Sequence, residues 1–186
     1  MRGARRFSQA ISEGDGISLL ADVTGADAAR AAESSGAEGI VVRAEISGVP
    51  DATGLPILAY GDPGASAADA WVITVEGLED EDGELERTYA AALEAGLDCV
   101  VAVLDEDQLQ LALERLDPEI FLLRAPGDAH GLEHVLGLLP DVPAGKLAIA
   151  ELALTRRDEV EELERAGVDA VIVPAAAVES LVGELH

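Results

Sequence analysis

The sequence predicts an α/β protein whose eight parallel strands close into a (β/α)8 barrel, and three observations predict it. Short, wholly apolar runs recur along the chain, and runs of that length read as strands buried on both faces. Amphipathic stretches ending at glycine lie between many of them and read as helices. The links are short, so successive strands pair in parallel with right-handed crossovers. An open doubly wound sheet is the alternative. It is disfavoured by the strand count and because no glycine-rich phosphate fingerprint follows the first strand.

The first apolar run, ISLLADV, covers residues 17–23. Gly25-Ala26-Asp27 opens an alanine-rich helix that runs to about Ser34 and stops at Gly36. GIVVR (39–43), PILAY (56–60) and WVITV (71–75) are the second, third and fourth strands. Residues 44–55 and 61–70 hold too many Gly and Pro for full helices, so these two crossovers are expected to be loops or single turns. ELERTYAAALEAG (84–96) is a helix, and CVVAVL (99–104) the fifth strand. Asp105 can cap the next helix, whose apolar face holds Leu109, Ala112, Leu113 and Leu116. EIFLLR (119–124) is the sixth strand, with a helix over about His130 to Leu138 after it. KLAIAEL (146–152) is the seventh, and Thr155 caps a helix with an acidic residue three positions on. DAVIV (169–173) is the eighth, before a closing helix over about Ala176 to Leu185.

The chain has 186 residues, whereas barrels of this kind run to about 250, so it must save length in the short crossovers. Residues 1–186 are expected to form one barrel domain, with 1–16 as an N-terminal extension. Aromatic residues make up only 3%, so the core must be built of Ala, Val, Leu and Ile.

Acidic residues outnumber basic ones 37 to 12, giving a formal net charge of −25. Phosphate neutralisation needs basic stripes that are absent, so nucleic acid and anionic membrane are excluded as partners. No apolar stretch approaches the roughly 20 residues of a membrane helix, and no apolar segment follows the basic start. A cytoplasmic setting is expected. Cys99 is the lone cysteine and reads as a small buried hydrophobe.

In a barrel, ligands bind where strand carboxyl ends meet. That ring would hold Asp22, Thr24, Arg43, Glu45, Tyr60, Asp62, Glu76, Asp105, Arg124 and Glu151. Asp22 and Glu151 lie on the first and seventh strands, separated only by the eighth. They are the candidate catalytic acid/base pair, with Thr24, Arg43, Tyr60 and Arg124 as candidate contacts to a small anionic metabolite. The plainer reading of the same ring is a set of ion pairs that plug the mouth. No cofactor and no metal site is expected. Asp22, Asp62, Glu76 and Glu151 show no calcium-loop spacing, and His130, His134 and His186 show no zinc pattern. Lys146 starts its strand, away from the mouth.

The strand-end residues resemble the indole-3-glycerol-phosphate synthase family. Its A-E-I-K-x-x-S-P-S is matched by Ala21-Asp22-Val23-Thr24-Gly25, and its L-P-V-L-R-K-D-F by Leu55 to Asp62. Its L-V-E-V-H-D-E-E-E-L is matched by Val100 to Leu109. The last units are nearest: S-E-S-G-I-x-T-x-x-D-V is similar to Ala150 to Val160, and A-G-V-D-A-V-L-V-G to Ala166 to Pro174. The resemblance implies the barrel scaffold, but most of the family's chemical groups are replaced. Its first-strand lysine falls at Thr24, its first-strand glutamate at Asp22, its general-acid lysine at Tyr60 and its fifth-strand glutamate at Ala102. Its N-N-R run falls at Leu123 to Pro126, with Arg124 displaced, and Glu151 alone is unchanged. Leu152, Ala153 and Pro174 stand where it cradles phosphate, and proline has no N–H to donate. The expected function is therefore a small-ligand-binding or scaffold protein without synthase activity. The alternative is an active lyase or isomerase on a small phosphorylated or carboxylated metabolite, related to tryptophan biosynthesis. A second copy could cover strands left bare by the short crossovers, making a homo-oligomer.

Overall fold

The computed structural model describes residues 6–14, 16–44, 48–60, 67–75, 83–127 and 130–182. Eight strands form one closed parallel ring in chain order: β1 (Ser18–Asp22), β2 (Gly39–Val42), β3 (Ile57–Ala59), β4 (Ala70–Thr74), β5 (Asp98–Val103), β6 (Ile120–Arg124), β7 (Leu147–Glu151) and β8 (Ala170–Pro174). Closure is made by β8 against β1, over five residue pairs from Ser18 with Ala170 to Asp22 with Pro174. The open sheet is thereby ruled out.

Side chains alternate along each strand, so every strand feeds two cores. Leu20, Val41, Leu58, Val72, Val100, Leu122, Ile149 and Ile172 fill the barrel interior. The intervening residues, such as Leu19, Ile40, Phe121 and Val171, pack outward under the helices. Gly39 opens β2 close against β1: a Cβ there would sit 2.7 Å from Leu20 Cδ2.

The helices follow the expected order: α2 (Ala26–Ser34), α4 (Glu84–Glu94), α5 (Glu106–Arg115), α6 (Gly131–Leu138) and α7 (Arg157–Ala166). Asp105 caps α5 as anticipated, its carboxylate accepting the Gln108 N–H at 2.9 Å. The start of α7 differs by one residue. Arg156, not Thr155, holds the cap position, and Glu159 reaches back to accept the N–H groups of both Thr155 and Arg156 at 2.9 Å. The carboxylate with the reach to bridge two amides sets the boundary, rather than the hydroxyl. The closing helix is shorter than expected: a 3-10 turn at Ala175–Ala177 leads into α8 (Val178–Leu181).

The crossover after β2 is a single turn, α3 (Val49–Ala52). The next lies largely outside the described residues; 67–69 are not helical. Even so, the outward side chains Ile40, Val42, Ile57 and Ala59 are buried within one chain. The bare strand faces that motivated a second copy are not found on these strands. No helix of the described residues is long and apolar enough to cross a membrane.

Residues 6–12, to which no element was assigned, form α1 (Arg6–Ser12). Phe7 and Ile11, one helical turn apart, are buried and belong to the interior core. The Ser8 N–H donates to Asp98 Oδ2 at 2.8 Å. This helix stops the amino-terminal end of the barrel. Lys146 stands at the same end, its Nζ 2.7 Å from both Asp117 Oδ1 and the Pro118 carbonyl.

Candidate functional site at the barrel mouth

Strand parity decides which side chains reach the carboxyl-end opening. Leu20, Val41, Leu58, Leu122 and Ile149 face the interior. Two residues further on, Asp22, Arg43, Tyr60, Arg124 and Glu151 therefore rise into the mouth. The same step on β4 leads from Val72 to Thr74, a position that a search limited to strand-end charges and rings passes over. On β8 it leads to Pro174.

The five groups form one network. Arg43 donates from Nε to Asp22 Oδ2 at 2.7 Å and from Nη2 to Glu151 Oε1. The Tyr60 hydroxyl donates to Glu151 Oε2 at 2.7 Å, and Arg124 Nε lies 3.3 Å from that same oxygen. The Arg43 guanidinium also stacks on the Tyr60 ring, 4.4 Å from its centroid. Side chains from the ends of β2, β3 and β6 thus converge on Glu151, and Asp22 joins them through Arg43. The Glu151 side chain is 18% exposed, against 28% for Asp22, 32% for Arg124 and 43% for Arg43, so the network grows wetter outward.

Two cations offset two anions here, which keeps half-buried charges tolerable. Burial works against the charge of Arg43, but its bonds to Asp22 and Glu151 outweigh that and hold it above its ordinary value. Burial, then the charge and hydrogen bond of Glu151, push the Tyr60 phenol far above its ordinary 10.0. Tyr60 is thus a fixed hydrogen-bond donor at neutral pH. Glu151 is committed to Arg43 and Tyr60, and is no free base.

Beside the network lies a cavity of about 390 Å³, lined by Asp22, Arg43, Arg124 and Glu151 and by the loop and strand ends around Leu152 and Pro174. A second hollow of about 520 Å³ adjoins it, sharing Asp22, Arg43 and Pro174 and walled further by Val23, Thr24 and Ala44. Both volumes fall in the range of about 300–1,000 Å³ usual for small-molecule sites.

The candidate residues of the sequence are thereby accounted for. Asp22, Glu151, Arg43, Tyr60 and Arg124 meet in one network, and Thr24 lines the neighbouring hollow. Asp105 is spent as a helix cap. Glu45, Asp62 and Glu76 lie outside the described residues, as does His186. His134 Nε2 is 2.6 Å from the Leu104 carbonyl, packed against the fold, while His130 pairs with Glu133. Among the described residues no group of three or more His, Cys, Asp or Glu side chains could hold a metal ion. Cys99 is buried, and burial raises its thiol to about 11.

A closed, eight-stranded parallel ring with its polar groups at the carboxyl end defines a (β/α)8 barrel. Comparison with known proteins agrees. A solved thiamine phosphate pyrophosphorylase from Pyrococcus furiosus matches 89% of this chain and 90% of its own, with a TM-score of 0.64 at 18% identity, a likeness of fold alone. By sequence, the chain is similar to indole-3-glycerol phosphate synthases from two strains of Acidithiobacillus ferrooxidans, at 34% identity over 116 residues. That stretch is 60% of this chain and spans 43% of those relatives' length. No family model matches the chain.

Proposed function

We propose that this chain is a divergent barrel of indole-3-glycerol-phosphate-synthase type that binds a small anionic metabolite at its mouth and no longer performs the synthase reaction. The observation that carries the binding half is Arg124. Its guanidinium makes one ion pair among the described residues, to Glu151 at 3.3 Å, and it lines the 390 Å³ cavity. An Arg fork with open donors beside a cavity is suited to an anion.

The lost chemistry follows from the residues at the mouth. The lysine positions that the family resemblance implies fall at Thr24 and Tyr60. Threonine carries no charge, and Tyr60 is a buried phenol that holds its proton and is bonded to Glu151. A general acid works best with a pKa near the operating pH, and this group lies far above it. Lys146, the sole lysine, is at the opposite end of the barrel. The acidic surface and lone reduced thiol fit a cytoplasmic setting.

Two assays on the same preparation test this reading. A melting screen with sugar phosphates and anthranilate-like acids should find at least one anion that raises Tm. An assay for indole-3-glycerol phosphate should find no formation above background. Turnover, or a screen in which nothing shifts Tm, contradicts it. A second reading, a lyase or isomerase using Asp22 and Glu151, is favoured by both carboxylates lining the same cavity as Arg124. It requires Arg43 to release Glu151 when ligand enters.

A further inference from the structure

We infer that the cleft at the ends of β6, β7 and β8 takes a monocarboxylate with an apolar body, gripped by Arg124, and discriminates against phosphorylated ligands. The inference deepens the anion-binding reading above and rests on it. It concerns which anion the mouth accepts.

Two arginines line the cavity, and only one is available. Arg43 is committed at Nε to Asp22, at Nη2 to Glu151, and through its face to the Tyr60 ring. Arg124 has the single 3.3 Å contact from Nε to Glu151 Oε2, which leaves the outer edge of its guanidinium for a ligand. One planar fork matches one carboxylate in two parallel hydrogen bonds.

A phosphate monoester carries about −1.5 to −2 charges at neutral pH and asks for several donors. Asp22 and Glu151 line the same cavity, so a dianion meets two like charges with one open cation against it. The whole chain carries −25, which opposes the approach of a polyanion further. At the end of β8 the lining residue is Pro174, which has no N–H to offer. The remaining walls are aliphatic: Leu152, Leu154, Ile172 and Val173. Such a surface rewards a hydrocarbon body next to the charged head, where a hydroxylated sugar would leave its hydroxyls without partners.

Calorimetric titration of the full chain with benzoate, phenyl phosphate and inorganic phosphate tests this. Benzoate and phenyl phosphate share a ring and differ in head group, so the comparison isolates the head. Benzoate should bind, with phenyl phosphate about tenfold weaker or worse and inorganic phosphate silent. Arg124→Gln should weaken benzoate by about tenfold or more in a chain that still unfolds in one cooperative transition. Should that variant fold poorly, Arg124→Lys keeps the charge and loses the fork, and it should still bind benzoate more weakly. Phenyl phosphate binding as tightly as benzoate overturns the inference and leaves the anion-binding reading standing. Benzoate binding that survives both Arg124 variants undiminished removes the anchor and overturns it also. Silence of all three probes overturns the inference, while the melting screen above decides the anion-binding reading on its own.

Discussion

The two ends of the barrel are closed by different physics. At the amino-terminal end, Phe7 and Ile11 of α1 press into the interior core. Carboxylates there accept from backbone amides: Asp69 from Ile57, Asp169 from Ala148 and Asp98 from Ser8, at 2.8–2.9 Å. At the mouth, Asp22 and Glu151 accept instead from the side chains of Arg43 and Tyr60. A backbone amide cannot turn away, so the lower carboxylates fix how neighbouring elements sit against each other. An arginine side chain can turn, so the upper carboxylates are held by donors that can be re-aimed. The acidic residue type is the same at both ends; what differs is the mobility of the donor.

The largest expected effect lies at the lower end. Phe7→Ala should cost about 3–5 kcal/mol in denaturant unfolding, because it empties a fully buried site that the short α1 cannot collapse to fill. A cost smaller than that of any mouth substitution would reverse the comparison. At the mouth, Glu151→Gln should cost about 2 kcal/mol, since it leaves Arg43 without its second charged acceptor while the site is still part-wet.

The third effect depends on pH. The Tyr60 phenol is raised above its ordinary 10.0 in the folded chain, by burial and then by Glu151. The unfolded chain therefore loses that proton first as pH rises. The stability it contributes is whole below pH 10 and drains away above it. Unfolding measured across that range should show a decline that Tyr60→Phe makes shallower. Burial raises Cys99 from 9.0 to about 11 in the same sense, so part of the decline persists in the variant. A profile identical in Tyr60→Phe would deny the buried hydroxyl its place in the network. The smallest effect belongs to Lys146→Ala, below about 1 kcal/mol, because its partner Asp117 is 77% exposed.

The strands were legible because buried parallel strands leave unbroken apolar runs. The mouth residues were legible because charged and aromatic groups stand at the carboxyl ends of strands, where a barrel opens. How those residues pair was not legible. Arg43 has the reach to choose among several acids, and its choice of both Asp22 and Glu151 depends on ring closure bringing β1, β2 and β7 together. Helix α1 escaped because Phe7 and Ile11 are its only two large apolar residues, too few to establish a period. A usable signal for the lower end was present: Asp69, Asp98 and Asp169 each stand at or just before the start of a strand. Their hold on neighbouring backbone shows only once the strands are paired. Thr74 was overlooked for the opposite reason, being uncharged at a position where only its inward parity speaks.

A double-mutant cycle on Arg43 and Glu151, read by unfolding free energy, addresses the mouth network most directly. With Arg43→Met, Glu151→Gln and the pair together, the double variant should cost less than the sum of the singles by about 1 kcal/mol or more, as expected of residues in contact. Strict additivity would mean that β2 and β7 do not meet through these side chains, and the mouth as described would not exist.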